Sequence, residues 1–446
     1  MVFRRAGLAP RAGRALLATL ALGALLAAPA ARGADRPGAS GGPPRAYARG
    51  EVLVHFRGLP GERRVEVPAG IGVPVALARL RASPGVAYAH PDYLVRAAKA
   101  CPGPNDPGRS GCWADDQWNF LPPSSVPGGV DALKAWHNLS GFARRDRKRI
   151  TVAVLDTGVA YRRKGPFRRD PDLPPSRRFV APRDFVGGDR FPLDEDGHGT
   201  HVASTIAQST NNGKGLTGLA HGVRVMPVRV LNRREKGRGS DVARGIRYAT
   251  RHGADVLNLS LEFRPEVRRC GQITSVCAAM RRAIDQGLVI VAAAGNRVRP
   301  RVAFPAAAPG VIGVGATTRR SCLASYSDYG KGLDLVAPGG GRDRADPANP
   351  SCDPTARGFS IRQFSLRPGA AASGDFRRFG IVDMHGTSMA AAHVSAAAAL
   401  LRAEGCAAGA VEPRLESTAT DLGVPGTDPF YGAGLLNAGQ ATAGPC

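Results

Sequence analysis

The sequence lacks several patterns that would place it in other functional classes. None of its eight cysteines lie in C-x-x-C spacing, which argues against a zinc site built from such pairs. It has no zinc-finger spacing, no aromatic RNA-binding motif and no basic helix, so we expect no dedicated nucleic-acid partner. After the N-terminal 34 residues no apolar run is long enough to span a bilayer, and we expect no stable membrane anchor.

The chain instead has an excess of positive charge. Lys and Arg number 61 against 36 Asp and Glu, which gives a formal net charge of +25. Arginine is spread along the whole chain, so this charge either attracts the protein to polyanionic surfaces and acidic substrates or is simply a solvated surface.

The N-terminus has the layout of a secretory signal peptide, which we predict over residues 1–34. Arginines precede an apolar stretch at residues 15–28, and small residues follow it. An uncleaved membrane anchor is the alternative, but the stretch is short for a membrane span and ends in proline and small residues. We therefore expect a secreted protein, either extracellular or periplasmic.

All the cysteines follow residue 100, and an even number behind an export signal favours disulfides. The simplest pairing is favoured by short loop closure. It consists of Cys101–Cys112, Cys270–Cys277, Cys322–Cys352 and Cys406–Cys446. Many other connectivities remain open at this point.

Two linker-like segments divide the rest of the chain. Residues 36–44 and 101–111 are rich in Gly and Pro, and strand, helix and return-strand patterns lie between them at residues 51–56, 74–81 and 85–95. We predict a small α+β domain over residues 45–100 and a large domain over residues 101–446.

The large domain alternates apolar strands with helical patterns. This predicts an α/β fold with a parallel sheet covered by helices on both faces. The expected strands are residues 150–155, 223–231, 256–261, 288–294, 311–314 and 333–336, and the expected helices are 198–208, 241–252, 272–286 and 387–403. In such folds the reactive groups lie at the carboxyl ends of strands and the amino ends of helices.

Four polar residues fall at such places. Asp156 ends an apolar strand, His198 lies between two glycines at a helix start, and Ser388 begins a long Ala-rich helix. Each has an ordinary alternative, namely a turn aspartate, a structural or metal-binding histidine and an N-cap serine. Asn296 follows a strand and a glycine, where its amide can join the Ser388 N–H in stabilising an oxyanion.

The motifs around these residues resemble those of the subtilase family. They read VLDTG at Asp156, GHGTHVA at His198, AAGN at Asn296 and GTSMAA at Ser388, in the Asp, His, Ser order of subtilisin. The resemblance covers nearly the whole large domain and implies a subtilisin-like fold and a serine endopeptidase acting on polypeptides. It also implies that His198 is the general base, that Asp156 orients it, and that Ser388 forms an acyl-enzyme.

The same resemblance identifies residues 45–100 as an inhibitory prodomain, removed by a cut between Arg96 and Trp113. The implied partners are polypeptide substrates and the protein's own prodomain, and we expect a monomer. The alternative is a catalytically silent relative that only binds peptides, against which the intact motifs argue.

For substrate binding, the resemblance implies an extended peptide lying between two segments of the protein, with selection in a primary pocket. The residues so assigned are Lys236, Gly237, Ser260, Leu261, Glu262, Ala294, Gly295, Arg297 and Ala303. Glu262 departs from the family, where glycine is expected. Arg297 is expected to favour acidic or neutral substrate residues over basic ones, opposed by Glu235 and Glu262. If Arg297 points to solvent instead, the pocket takes medium-sized apolar residues.

A calcium loop is also implied, because residues 210–216 read TNNGKGL. The ligands assigned to a structural Ca²⁺ are Gln117, Asp172, Asn212, Lys214 and Leu216. The alternative is an ordinary Asn/Gly turn, since Gly213 and Lys214 alter the loop. A further departure is the stretch 339–383, which is longer than in compact members and is expected to be a surface loop anchored by Cys352.

Overall fold

The structure is a computed structural model, and it describes residues 47–94, 101–139, 149–346 and 349–446. The chain divides into two compact units, Met1–Ala100 and Cys101–Cys446. The predicted signal peptide, residues 1–34, lies outside the described residues. Among the described residues, no helix is both long enough and apolar enough to cross a bilayer.

The first unit contains a small antiparallel sheet with one helix packed on it. Its elements are β1 (Tyr47–Phe56), β2 (Glu62–Glu66), α1 (Val73–Arg81) and β3 (Val86–Tyr93), and the strand order is β2-β1-β3. Val52 and Val54 alternate along β1 and are fully buried in one apolar cluster with Ala76 and Leu80 of the helix. Strand β2 was not predicted, because four of its five residues are charged and exposed and leave no apolar pattern.

The second unit is built on a parallel sheet, as predicted, and this sheet has seven strands where six were expected. Its strands are β4 (Thr151–Asp156), β5 (Arg183–Asp184), β6 (Arg224–Arg229), β7 (Val256–Leu259), β8 (Val289–Ala293), β9 (Ile312–Thr317) and β10 (Leu335–Pro338). The strand order is β10-β9-β8-β7-β4-β6-β5. The strands β4, β7 and β8 are buried at every position, which accounts for their continuous apolar runs. The edge strand β5 has two residues and is too short to show a pattern.

Helices cover both faces of this sheet. The helices of the second unit so far as described are α2 (Ala132–Asn138), α3 (His198–Ala207), α4 (Gly239–Arg251), α5 (Thr274–Asp285), α6 (Ala370–Ser373), α7 (Thr387–Ala403), α8 (Ala408–Ser417) and α9 (Ala438–Ala441). One apolar core contains residues of α3, α7 and α8, and the other contains residues of α4 and α5. In α7 every residue but Arg402 is buried, and its alanines let the helix lie close to the sheet.

The stretch 339–383 is not the plain surface loop that its composition suggested. It contains an antiparallel hairpin formed by β11 (Ile361–Leu366) and β12 (Phe379–Met384). The inward positions of β11 are Ile361, Gln363 and Ser365, all fully buried. Because two of these three are polar, the strand does not show the apolar alternation by which a half-buried strand is recognised.

All four predicted disulfides are present, and no cysteine is free. Their Cα–Cα separations of 5.4 to 5.6 Å lie within the range that a disulfide requires. Each pairs cysteines that are neighbours in the order of the sequence, as short loop closure favours.

Candidate active site

Asp156 and His198 meet at the carboxyl edge of the sheet. Asp156 is the last residue of β4 and His198 is the first residue of α3. His198 Nδ1 donates to Asp156 Oδ1 at 2.7 Å, and the backbone N–H of Thr157 donates to the same oxygen at 2.7 Å. Because Nδ1 carries the proton that faces the carboxylate, Nε2 of the neutral ring is the proton acceptor.

The surroundings of His198 shift its pKa. Burial of the ring lowers the pKa, but the charge and hydrogen bond of Asp156, together with the charges of Glu235 and Asp196, outweigh burial and raise it to about 9. The neutral imidazole, which is the form that accepts a proton, therefore predominates only at alkaline pH.

Asp194 joins these two elements and was not among the predicted site residues. Its Oδ1 accepts from Thr157 Oγ1 at 2.9 Å and from the N–H of Gly197 at 3.0 Å, and its Oδ2 accepts from the N–H of Thr200 at 2.9 Å. It is 1% exposed and so fixes the end of β4 against the start of α3. The sequence offers a run of three acidic residues at 194–196 and no signal that this one turns inward.

Ser388 lies in the first turn of α7 and is buried. Its hydroxyl donates to the carbonyl oxygen of Ser260 at 3.4 Å, and Ser260 Oγ donates to the carbonyl oxygen of Ser388 at 3.0 Å. This pair of contacts joins the end of β7 to the helix. Among the described contacts this hydroxyl makes no hydrogen bond to His198, and catalytic hydrogen bonds commonly tighten only when substrate is bound.

Asn296 is held in one orientation beside the same helix. Its Oδ1 accepts from the N–H of Thr387 at 2.9 Å and from Thr387 Oγ1 at 3.0 Å. With the oxygen occupied in this way, Nδ2 is left to donate outward from an exposed position. The N–H of Ser388 belongs to a helix start, where amides have no acceptor within the helix. These are two donors of the kind that stabilise an oxyanion.

The predicted substrate residues lie on loops that follow parallel strands. Ser260, Leu261 and Glu262 come after β7, and Ala294 and Gly295 come after the adjacent β8. The N–H of Ala303 donates to the carbonyl of Ala294 at 2.8 Å, which places Ala303 beside them. Lys236 and Gly237 are exposed in the turn after β6, where Gly237 forms an antiparallel bridge with Leu231.

Arg297 is not an unpaired charge. Its Nε donates to Glu262 Oε1 at 2.6 Å, and its backbone N–H donates to Asp328 Oδ1 at 2.9 Å. The hydrogen bond and charge of Glu262 raise the pKa of Arg297. The expectation that this guanidinium repels basic substrate residues therefore loses its basis. Asp328 was not predicted, because it follows β9 in sequence, far from the motifs.

The predicted calcium residues come together around Asp172, but the carboxylate faces hydrogen-bond donors. Its Oδ1 accepts from Asn212 Nδ2 at 2.8 Å. Its Oδ2 accepts from the N–H of Leu216 at 2.9 Å and from Gln208 Nε2 at 2.5 Å. Burial raises the pKa of Asp172 to about 6 against the lowering effect of these donors.

The amide oxygens of the same set are also engaged. Gln117 Oε1 accepts from the N–H of Thr217 at 3.0 Å, and Asn212 Oδ1 accepts from the N–H of Lys214 at 2.9 Å. Calcium requires six to eight oxygen ligands turned toward one point. As arranged, the side chains of Gln117, Asp172 and Asn212 do not fit a calcium ion, because their oxygens accept hydrogen bonds from neighbouring donors, and Lys214 and Leu216 offer only backbone carbonyls.

Comparisons with known proteins agree with this architecture. The model of the subtilase family matches residues 147–434. The thermophilic serine proteinase of Bacillus sp. (strain AK1) is 31% identical over 418 residues, which is 89% of this chain and 88% of the relative. Subtilisin Savinase of Lederbergia lenta is 34% identical over 324 residues, which is 71% of this chain and 99% of the relative.

A solved structure gives the same result at the level of the fold. It is of a protease from Pseudoalteromonas arctica, is 29% identical and superimposes with a TM-score of 0.60. The match covers 76% of this chain and 98% of that protease. The likeness therefore extends over most of the second unit and is not confined to the motifs.

Proposed function

This chain belongs to the subtilase family and is a subtilisin-like serine protease, and we propose that Asp156, His198 and Ser388 are its catalytic triad. The observation that carries the proposal is the 2.7 Å hydrogen bond from His198 to a fully buried Asp156. The start of α7, with Ser388, is tied to the same edge of the sheet through Ser260. In this reading the enzyme cuts within polypeptide chains.

The chemistry follows from the arrangement of these groups. Ser388 Oγ attacks the peptide carbonyl carbon while His198 Nε2 takes the hydroxyl proton, and Asp156 stabilises the resulting imidazolium. The oxyanion accepts from Asn296 Nδ2 and from the N–H of Ser388. His198 then gives its proton to the leaving amine as the C–N bond breaks, which leaves an acyl-enzyme. A water molecule, activated by the same histidine, releases the acid and restores the serine.

Maturation and export are further parts of the proposal. Residues 1–34 direct export, and residues 45–100 act as an inhibitory prodomain that the enzyme removes from itself by a cut between Arg96 and Trp113. The mature secreted form is a monomer. Support comes from the signal-like N-terminal composition and from the separate apolar core of the first unit around Val52, Val54 and Leu80. N-terminal sequencing and intact mass of the secreted protein test both cuts. A structural calcium ion has no role in this proposal, because the side-chain oxygens of Asp172 and of the loop 210–216 do not fit one.

A serine-directed fluorophosphonate probe tests the triad. The wild type is expected to be labelled and to hydrolyse an unfolded protein substrate, and Ser388→Ala is expected to do neither. Ser325→Ala, which removes an exposed serine from the same domain, serves as the matched control and should keep both properties. A wild type that binds peptides without labelling or hydrolysis would instead be the catalytically silent relative.

A further inference from the structure

We infer that Glu262 and Asp328 make the primary pocket acidic, so that this protease prefers a lysine or arginine side chain immediately before the scissile bond. The inference rests on the proposed function, because it names the substrate class of the same site. It also reverses the selectivity expected from Arg297 alone.

The two carboxylates converge on Gly295, the residue before the oxyanion donor Asn296. Gly295 has φ of +113°, and a β-carbon built on it would lie 2.3 Å from Asp328 Oδ2 and 2.8 Å from Glu262 Oε2. Oxygens from two separate segments of the chain therefore lie beside one point. That point is next to Asn296, where the carbonyl under attack must sit, and so within reach of the substrate residue that carries this carbonyl.

Both oxygens are buried and lack a hydrogen-bond partner. Asp328 is completely buried, and its other oxygen accepts from the N–H groups of Arg297 and Arg299 at 2.9 and 2.8 Å. Glu262 likewise uses Oε1 for Arg297 and leaves Oε2 unpaired. Buried carboxylate oxygens without a donor are costly, so their presence at a binding site indicates that a donor arrives with the ligand.

The charge balance favours a cationic ligand. Arg297 pairs with one carboxylate and its side chain is 47% exposed, while that of Glu262 is 22% exposed, so the guanidinium lies on the solvent side of the pair. No ion pair of Asp328 stands among the described contacts, although the charge of Arg299 acts on it. Burial raises the pKa of Asp328 most and the charge of Glu262 raises it further, while the N–H groups of Arg299 and Arg297 and the charge of Arg299 lower it. A cation bound between the two carboxylates counteracts the two raising effects and favours the ionised form.

A substrate side chain fits this place better than a metal ion does. Two unpartnered oxygens are fewer than the six to eight that calcium takes. Leu261 and Ala303, which the resemblance assigned to the primary pocket, are apolar and partly exposed. They suit the methylene stem of a lysine or arginine, whose charged head then reaches the carboxylates.

The test is a set of otherwise identical peptide amides that carry Lys, Arg, Phe or Glu before the scissile bond. The wild type should show a kcat/KM for Lys and Arg on the order of tenfold above that for Phe, with Glu lowest. Asp328→Asn and Glu262→Gln should each lower the ratio of Lys to Phe turnover about tenfold. Arg297→Gln, a change at an exposed side chain, should raise that ratio. Asp285→Asn removes an exposed acidic charge on α5 and is the matched control, for which the ratio should not change.

The outcomes separate the inference from the proposed function. No hydrolysis of any peptide and no fluorophosphonate labelling would overturn the triad. Labelling and hydrolysis with Phe or Glu preferred in the wild type would overturn the acidic pocket alone, as would a Lys to Phe ratio that neither carboxylate variant alters. A preference for Lys that disappears in EDTA would show that the carboxylates hold a metal ion, and would also overturn it.

Discussion

Asp156 and Asp172 are both buried aspartates to which the family resemblance assigns a function, yet they face different hydrogen-bond donors. Asp156 accepts from an imidazole, a group that titrates. Asp172 accepts from two side-chain amides and a backbone N–H, none of which titrates. The sequence assigned a function to each. A motif thus predicts the residue type, while the donor opposite the carboxylate distinguishes the proposed catalytic aspartate from the other.

Removal of the proposed nucleophile, Ser388, should lower turnover more than any other change, and it tests whether the Asp156 site is catalytic. Ser388→Ala is expected to lower kcat about a millionfold, the loss measured when this residue type is removed from subtilisin. It should also remain at prodomain-containing size until active protease is added. Size by mass spectrometry and turnover of a peptide amide check both points. Processing of the purified variant at the wild-type rate would refute autoprocessing.

The two aspartates can be compared directly by the same substitution. Asp156→Asn should lower kcat about ten-thousandfold, because the amide no longer selects the Nδ1–H tautomer or stabilises the imidazolium. Asp172→Asn should leave kcat within a few-fold but lower the free energy of unfolding by about 1 to 3 kcal/mol, because it leaves buried N–H groups unpaired. Turnover and denaturant unfolding of both variants give the answer. Similar losses of kcat in both variants would contradict the assignment of a catalytic role to Asp156 and a structural role to Asp172.

The core of the fold could be predicted, and the catalytic residues proposed, because both depend on local pattern. Strands such as β8 are apolar throughout, and Asn296 and Ser388 lie within short motifs. The hairpin β11–β12 could not be predicted, since its inward face includes Gln363 and Ser365. Ser365 Oγ donates to the carbonyl of Gly197 at 2.9 Å, so this insertion braces the start of the His198 helix. No local pattern encodes such a contact.

The pairing of charges at the site could not be predicted from the sequence either. Arg297 was expected to act alone, but its partner Glu262 is 35 positions away and Asp328 is 31 positions away in the chain. Pairing across such separations depends on which loops the parallel strands bring to one edge. The donors that face Asp172 could not be predicted for the same reason, because they come from residues far from it in the sequence.

The dependence of kcat/KM on pH shows whether the partner of Asp156, His198, titrates. Because the pKa of His198 is raised to about 9, kcat/KM should rise with pH through about 9, as the ring loses its proton and becomes a base. Glu235→Gln removes one of the charges that raise this pKa and should move the profile downward by a few tenths of a pH unit. Arg233→Gln, an exposed change in the same turn, is the control for surface substitution. A Glu235→Gln profile that moves upward would contradict this electrostatic account.

The same raised pKa also affects stability, with a sign opposite to that for activity. A histidine whose pKa is higher in the folded state than its ordinary value of 6.5 stabilises the fold fully below pH 6.5. That contribution is lost as pH rises through about 9, so the enzyme gains activity over the window in which it loses stability. Denaturant midpoints across this range, compared between wild type and Asp156→Asn, measure the loss.

Chelation should have the smallest effect, which is none on the melting temperature, and it tests whether the Asp172 site holds a calcium ion. A ligand that binds only the folded state stabilises it by about 2.7 kcal/mol at a hundredfold excess over its Kd, so loss of a bound calcium ion would lower the melting temperature by several degrees. The carboxylate of Asp172 already accepts hydrogen bonds from Asn212, Gln208 and Leu216. We therefore expect the same melting temperature in EDTA and in millimolar Ca²⁺. This reverses the expectation that the TNNGKGL motif alone suggests. Asp172→Asn supplies the control, because its melting temperature should be lower than that of the wild type by the same amount in both buffers. If EDTA lowers the wild-type value and Ca²⁺ restores it, while the variant responds to neither, the loop rearranges to bind calcium and Asp172 is a ligand.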